Sequence, residues 1–259
     1  MRSRANVRVV RKTPAELEIM RQAGRLLARV LQEVVAAAQP GVATEELDKL
    51  ARARLAEAGA EPSFLGYRGY PAALCVETED IVVHGIPGKA KLQPGTILGM
   101  DLGAAYRGFQ ADTAVTIALG EIDETRRRLL EVTEQALHAG IAQARAGRRL
   151  RDISAAVQEV AEAAGFGVVR DLVGHGIGRQ MHEPPQVPNF VSEGAFVEYD
   201  LMLRPGMTLA IEPMINAGGA AIRVDKDGWT VRTADGKPSA HFEHTVAVGR
   251  EAPQILTLP

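Results

Sequence analysis

One pattern occurs twice in this 259-residue chain, and each copy ends on carboxylates. The first copy runs His84-Gly85-Ile86, then Pro94-Gly95-Thr96-Ile97-Leu98-Gly99-Met100-Asp101, then Asp112. The second runs His175-Gly176-Ile177, then Pro205-Gly206-Met207-Thr208-Leu209-Ala210-Ile211-Glu212, then Glu243. Each copy sets a Pro-Gly turn before an apolar strand that finishes on an acid. A carboxylate there is costly to bury unless something cationic compensates it. A lone aspartate at a strand end is more often a turn or cap residue; the joint pattern is what argues for chemistry. Four carboxylates with one or two histidines form a hard, oxygen-rich donor set suited to manganese, ferrous iron, cobalt or zinc. Their four negative charges match two divalent cations, the arrangement that activates a water between two metals.

Competing chemistries lack their residues. There is no HExxH, GxSxG or Walker phosphate loop. Gly174, Gly176 and Gly178 mimic a dinucleotide fingerprint until Arg179 replaces its last glycine. Cys75 is the single cysteine, which excludes an internal disulfide framework and a thiolate zinc cluster. A net charge of −2 gives no basic field for nucleic acid or an acidic membrane. No window is long and apolar enough to span a bilayer. Arg2, Arg4, Arg8 and Arg11 are not followed by the apolar core of a secretory signal, so a cytoplasmic location is expected.

The elements that must position these residues are also duplicated. Thr13-Pro14-Ala15-Glu16 is a capping box with proline at the first helical position. Leu17, Met20, Leu27, Val30, Leu31 and Val34 then recur at helical spacing as far as Pro40-Gly41. Thr44 opens a second helix that Gly59 closes. Asp123 opens a third ending near Gly147, and Asp152 a fourth ending at Gly165. Gly41 and Gly59 lie 106 residues before Gly147 and Gly165. Two helix-plus-strand halves, about 13–118 and 123–248, are therefore expected to share one sheet within a single domain, 1–259. Arg107-Gly108 is a hairpin turn candidate between Ile97–Tyr106 and Phe109–Ala118. A two-residue turn puts Asp101 and Asp112 diagonally on one face; a three-residue turn shifts that parity unless a bulge restores it. Asp227-Gly228 is a further turn candidate, and His241–Val248 reads as a last strand carrying Glu243. His138 reads as a solvated surface histidine, and His241 and His244, which flank Glu243, as strand residues or as supports behind the ligands. Tyr67 and Tyr70 fall in a Gly/Pro-rich segment although aromatics are only 4% of the chain, which suits a pocket wall better than a core.

Leu65-Gly66-Tyr67-Arg68-Gly69-Tyr70-Pro71, His84-Gly85-Ile86-Pro87, Gly174-His175-Gly176-Ile177-Gly178, His182-Glu183, Ile211-Glu212-Pro213-Met214 and Phe242-Glu243-His244-Thr245 together resemble the motifs of type I methionine aminopeptidases, in order and spacing. The resemblance covers nearly the whole chain. It implies an α/β chain of the α+β type with the pita-bread fold: two pseudo-two-fold-related halves on a curved, mainly antiparallel sheet. Only 37 positions separate His175 from Glu212, which leaves no room for the large insertion of type II enzymes. The short bacterial form is expected.

Carried over by matching positions, the resemblance implies Asp101, Asp112, His175, Glu212 and Glu243 as ligands of two divalent ions, with Asp112 and Glu243 bridging. It implies Glu212 as proton carrier, His182 on the scissile carbonyl and His84 on the departing amide. Tyr67, Tyr70, Cys75 and Trp229 match the methionine pocket. Phe64 stands there where cysteine is frequent, and Met181 where phenylalanine is frequent. The implied activity is hydrolytic removal of initiator methionine from nascent polypeptides with a small second residue. A monomer making transient ribosome contact, with no nucleic-acid or membrane partner, completes the expectation. Two rivals are a proline dipeptidase or aminopeptidase P-like enzyme of the same fold, which carries an additional N-terminal domain, and a non-catalytic binding protein, which typically loses metal ligands.

Overall fold

The computed structural model describes residues 9–191 and 200–259; Arg2, Arg4 and Arg8 lie outside them. Four helices form where caps and periodicity place them: α1 (Pro14–Ala37), α2 (Thr44–Glu57), α3 (Glu124–Gln143) and α4 (Leu150–Ala163). At the start of α1 the Thr13 hydroxyl accepts the Glu16 N–H at 3.3 Å, and Glu16 accepts the Thr13 N–H at 2.9 Å. Two boundaries differ from expectation. Helix α3 stops four residues before Gly147, and α4 opens at Leu150, before Asp152. Asp152 sits in the first turn and reaches back to the Arg149 N–H at 2.9 Å, as Glu46 reaches the Ala43 N–H in α2.

The strands are β1 (Glu61–Pro62), β2 (Leu74–Thr78), β3 (Ile81–Val83), β4 (Thr96–Tyr106), β5 (Phe109–Leu119), β6 (Gly167–Val168), β7 (Gly174–Gly176), β8 (Glu183–Val187), β9 (Thr208–Ile211), β10 (Met214–Asn216), β11 (Ile222–Val224), β12 (Val231–Thr233), β13 (Ser239–His241), β14 (Glu243–Ala247) and β15 (Gln254–Ile255). The principal sheet runs β1-β4-β5-β14-β9-β7-β8, with β2 added to β4 and β15 to β14. Two smaller sheets run β13-β10-β6 and β11-β12-β3. Every pairing between named strands is antiparallel.

The β4–β5 hairpin turns on two residues, with Arg107 at φ 49° and Gly108 at φ 79°, the positive pair a tight hairpin turn needs. Asp101 then stands opposite Ala114, and Asp112 opposite Gly103, so the two acids are diagonal on one face. The second hairpin departs from its expected form. His241–Val248 is not one strand; it breaks at Phe242 into β13 and β14, and β15 follows it. Its partner breaks in parallel at Glu212-Pro213, because proline brings no N–H to the ladder. Pairing resumes without slippage, from Ile211↔His244 to Met214↔His241, which leaves Glu212 level with Glu243.

Helices α1 and α2 pack Leu27, Leu31, Leu47 and Leu55 against Leu98, Met100 and Leu102 of β4. Helices α3 and α4 pack Leu137, Ile141 and Ile153 against Leu209, Ile211 and Val246. All of these are essentially buried. Truncating any one to alanine costs about 2–5 kcal/mol. The strand ends bearing the acids are thus held by a core that does not depend on them. Among the described residues no helix is long and apolar enough to cross a membrane.

Candidate metal centre

Five of the predicted side chains meet where the two halves join. One ligand atom from each of Asp112, His175 and Glu243 lies within 4.8 Å of the others, and the same holds for Glu77, Asp101 and His241. His175 Nε2 is 3.5 Å from Glu212 Oε1 and 3.9 Å from Asp112 Oδ2. Backbone placement is reinforced by hydroxyls. Thr245 Oγ1 accepts the Asp112 N–H at 2.9 Å and donates to the Asp112 carbonyl at 2.8 Å. Thr113 Oγ1 donates to the Glu243 carbonyl at 2.8 Å, and Asn189 Nδ2 to the Glu212 carbonyl at 3.0 Å.

The residues fit a cation. Asp101 Oδ1, Asp112 Oδ1 and Glu243 Oε1 are buried without a hydrogen-bond partner. Such orphans are rare and costly. Burial, with mutual repulsion added for the second two, raises Asp101 to about 7, Glu212 to about 8, and Asp112 and Glu243 well above the carboxylate range. Positive charge placed among them removes both penalties. His175 is prepared for the same task. Burial, with His182 nearby, lowers it to about 3, so the ring is neutral at pH 7. Its Nδ1 lies 2.9 Å from the Gly176 carbonyl; a proton donated there leaves the Nε2 lone pair facing the acids.

A cavity of about 190 Å³ adjoins these groups. Phe64, Tyr67, Tyr70, Cys75, His84 and Trp229 line it together with the five candidate ligands and His182. Cys75 stands opposite Asp101 in the β2–β4 ladder, which sets the apolar wall beside the acids. The Tyr70 ring meets Trp229 edge-on at 5.2 Å, and its hydroxyl donates to the Gly85 carbonyl at 2.9 Å. Asp48 of α2 accepts the Ala73 and Leu74 N–H groups at 2.7 and 3.1 Å, tying the aromatic loop to the first core. His84 has φ 59°, a left-handed conformation uncommon outside glycine and enriched at functional sites. Burial, then His241 and His182, lowers its pKa to about 4. His182 is at the exposed rim, stacked on Tyr67 with Nδ1 3.0 Å from the Tyr67 hydroxyl.

Met181 is not among the lining side chains. It is buried with Met20, Phe109 and Ile177, and Phe64 and Tyr67 pack on that cluster. Two contributors, Glu77 and the Lys12–Glu183 pair, escape the sequence reading. Glu77 lies within the apolar run Leu74-Cys75-Val76-Glu77, the same signal that marked Asp101, but without a counterpart in the repeat. Of the two readings open for His241, strand residue or support behind the ligands, its place facing the acids fits the second. Lys12 and Glu183 form an ion pair at 2.7 Å with side chains 4% and 9% exposed, which anchors the segment carrying His182. His138 is exposed as expected.

Residues 18–250 match the model of metallopeptidase family M24. A methionine aminopeptidase of Clostridium perfringens is 45% identical over 250 residues, spanning 96% of this chain and 99% of that one. The crystal structure of methionine aminopeptidase from Thermotoga maritima superposes with a TM-score of 0.93 at 42% identity, covering 97% of this chain and all of that one. Prolidase from Pyrococcus furiosus shares the pita-bread fold at a TM-score of 0.78 and 21% identity, but this chain covers only 66% of it. The chain belongs to metallopeptidase family M24 and, within it, to the methionine aminopeptidases.

Proposed function

We propose that this chamber hydrolyses the peptide bond after an N-terminal methionine of a new polypeptide, with two divalent ions held by Asp101, Asp112, His175, Glu212 and Glu243. The observation that carries the reading is the convergence of orphaned, buried carboxylate oxygens beside an aromatic-lined cavity. A divalent pair there supplies a water that ionises near neutral pH and positive charge beside the substrate. The chain's own groups do the rest. Glu212, at the edge of the cavity, receives the water proton and returns it to the leaving amine. His182 donates to the scissile carbonyl as its oxygen gains charge, and His84 contacts the departing nitrogen. Phe64, Tyr67, Tyr70, Cys75 and Trp229 receive the thioether, which packs well against aromatic rings.

With the methionine enclosed and the carbonyl held at the acids, a bulky second residue crowds His84 and the rim. Misplacement by about 1 Å can cost 10²-fold, so Gly, Ala or Ser is favoured at that position over Leu, Lys or Arg. Several ions suit the donor set: manganese, ferrous iron, cobalt and zinc. We place the enzyme in the cytoplasm as a monomer meeting nascent chains, with transient contact at the ribosome. The deciding experiment titrates metal-stripped protein with each ion, using Met-Ala-Ser, Met-Lys-Ser and Ala-Pro peptides. Cleavage of Met-Ala-Ser alone is expected, and only with metal. Full activity at negligible metal content, or equal kcat/KM for Met-Ala-Ser and Met-Lys-Ser, contradicts the reading. His182→Ala is expected to lower kcat about 10²–10³-fold; an unchanged kcat would remove it from the mechanism.

A further inference from the structure

Two buried side chains face the metal centre without being needed to complete its ligand set. Glu77 on β2 and His241 at the end of β13 are each 2% exposed. The structure has a slot for the first. Glu77 stands opposite Gly99 in the β2–β4 ladder, and a Cβ on Gly99 would lie 2.4 Å from Glu77 Oε2. His241 is seated on that carboxylate, its Nδ1 3.2 and 3.3 Å from the two oxygens. Thr116 Oγ1 fixes the histidine backbone from both sides, donating to its carbonyl at 2.7 Å and accepting its N–H at 3.0 Å. The ring has one free edge. Nε2 is buried without a partner and lies 3.9 Å from Glu212 Oε2.

We propose that His241, seated on Glu77, is a positioning residue for the metal centre, its Nε2 donating to the outer oxygen of Glu212 and fixing the Asp101–Glu212 edge of the ligand set. This rests on the two-metal reading above. A ligating carboxylate has one oxygen turned away from the ion, and in a buried site that oxygen needs a donor. Among the described residues, the one buried side-chain nitrogen at this edge without a partner is His241 Nε2. Removing such an outer partner typically costs 10–100-fold in metal affinity or activity.

Calorimetric titration of Co²⁺ into metal-stripped protein, with the visible Co²⁺ absorption recorded on the same samples, tests this. Wild type is expected to bind two ions. His241→Phe should weaken one of them about 10–100-fold, alter the absorption and lower kcat, with KM for Met-Ala-Ser little changed. His241→Gln keeps a donor at that edge and should retain most of the affinity; Glu77→Gln should shift the same ion in the same direction. A merely structural role would lower the melting temperature without weakening one ion selectively. Unchanged affinities and absorption in His241→Phe overturn the proposal, as do three ions in wild type falling to two in the variant. If His241→Phe does not fold, unchanged affinity in Glu77→Gln overturns it instead. A wild-type protein that binds no pair of ions refutes the two-metal reading itself, a distinguishable failure.

Discussion

Both halves offer their acids from a hairpin, but only the first hairpin is continuous. Strands β4 and β5 pair along their full length around Arg107-Gly108, so Asp101 and Asp112 are diagonal neighbours on an unbroken face. In the second half the ladder opens at Glu212-Pro213 and Phe242, and the strand ends beyond it join a separate sheet. Residues 217–238 replace the two-residue turn; they add β11 and β12, pair β12 with β3 and bring Trp229 to within 6.3 Å of His84. The break is tolerable because Pro213 has no N–H to leave unpaired, while the Phe242 N–H reaches the Pro213 carbonyl at 3.4 Å. One hairpin keeps regularity and supplies ligands. The other gives up regularity and supplies ligands together with a chamber wall.

The largest effects should come from acids of either hairpin. Glu212→Gln removes a ligand charge and the proton carrier together, so kcat should fall by more than about 10³-fold. Asp112→Asn should lose metal and turnover as well, while the apo fold persists because its core lies elsewhere. Steady-state kinetics, metal analysis and thermal unfolding on the same preparations check both. If Asp112→Asn keeps its metal and turnover, the continuous hairpin is scaffold alone. Next in size is Trp229→Ala, which opens the wall contributed by the broken hairpin. It should raise KM for Met-Ala-Ser about tenfold, the scale of a lost sulfur–aromatic contact, and narrow the preference over Leu-Ala-Ser. Unchanged KM and selectivity would detach residues 217–238 from substrate binding.

What was legible in the chain follows the same division. The Asp101–Asp112 geometry follows from a local feature, the Arg107-Gly108 turn, once its length is known. The capping boxes are equally local, and Thr13 to Glu16 forms as read. The split of the second hairpin was signalled by Pro213, yet its result, two sheets from one ladder, depends on tertiary partners. Lys12 and Glu183 lie 171 residues apart, so no local pattern links them. Met181 was assigned to the chamber by motif position, but α1 brings Met20 beside it and the cluster absorbs the side chain. Glu77 carried the right chemistry without the repeat that made the other acids stand out.

The acids also set a pH dependence for the metal-stripped protein. Their folded pKa values are raised, Asp101 to about 7 and Glu212 to about 8, so the folded state holds protons that the unfolded state has released. Their stabilisation is complete below the unfolded carboxylate range near 4 and is lost as pH climbs through 7 and 8. His84 and His175 have lowered pKa values and act only on the acid side, where unfolding lets them charge. Between pH 7 and 9 the acids therefore dominate, and His241, raised to about 9 by Glu77 against the pull of burial, adds the same sign. Each excess proton held by the folded state across these two pH units costs about 2.7 kcal/mol. The apo melting temperature should fall by roughly 5–10 degrees from pH 7 to 9. Metal should offset the fall, because its ligands bind deprotonated and affinity rises with pH. An apo melting temperature that climbs over this window would contradict the buried-acid account of both hairpins.

The smallest expected effect separates the hairpin connections themselves. Gly108 and Gly228 have nearly the same φ, 79° and 78°. A Cβ at Gly228 meets nothing within 4 Å, and one at Gly108 only the Arg179 guanidinium at 3.7 Å. Alanine at either site therefore pays for backbone conformation and not for a clash, about 1–2 kcal/mol, which corresponds to a few degrees in melting temperature. The two penalties should be felt differently. Gly108 closes a ladder paired along its full length, so Gly108→Ala should lower the melting temperature and leave KM unchanged. Gly228 lies in a turn where Asp227 Oδ1 accepts the Trp229 and Thr230 N–H groups at 2.8 and 2.9 Å, so relief of strain there displaces Trp229. Gly228→Ala should accordingly raise KM for Met-Ala-Ser while the melting temperature moves less than in Gly108→Ala, because β11 and β12 can give way without opening either main core. Unfolding and KM measured side by side decide it; equal KM in the two variants would mean that the broken hairpin's connection is as purely structural as the tight turn it replaces.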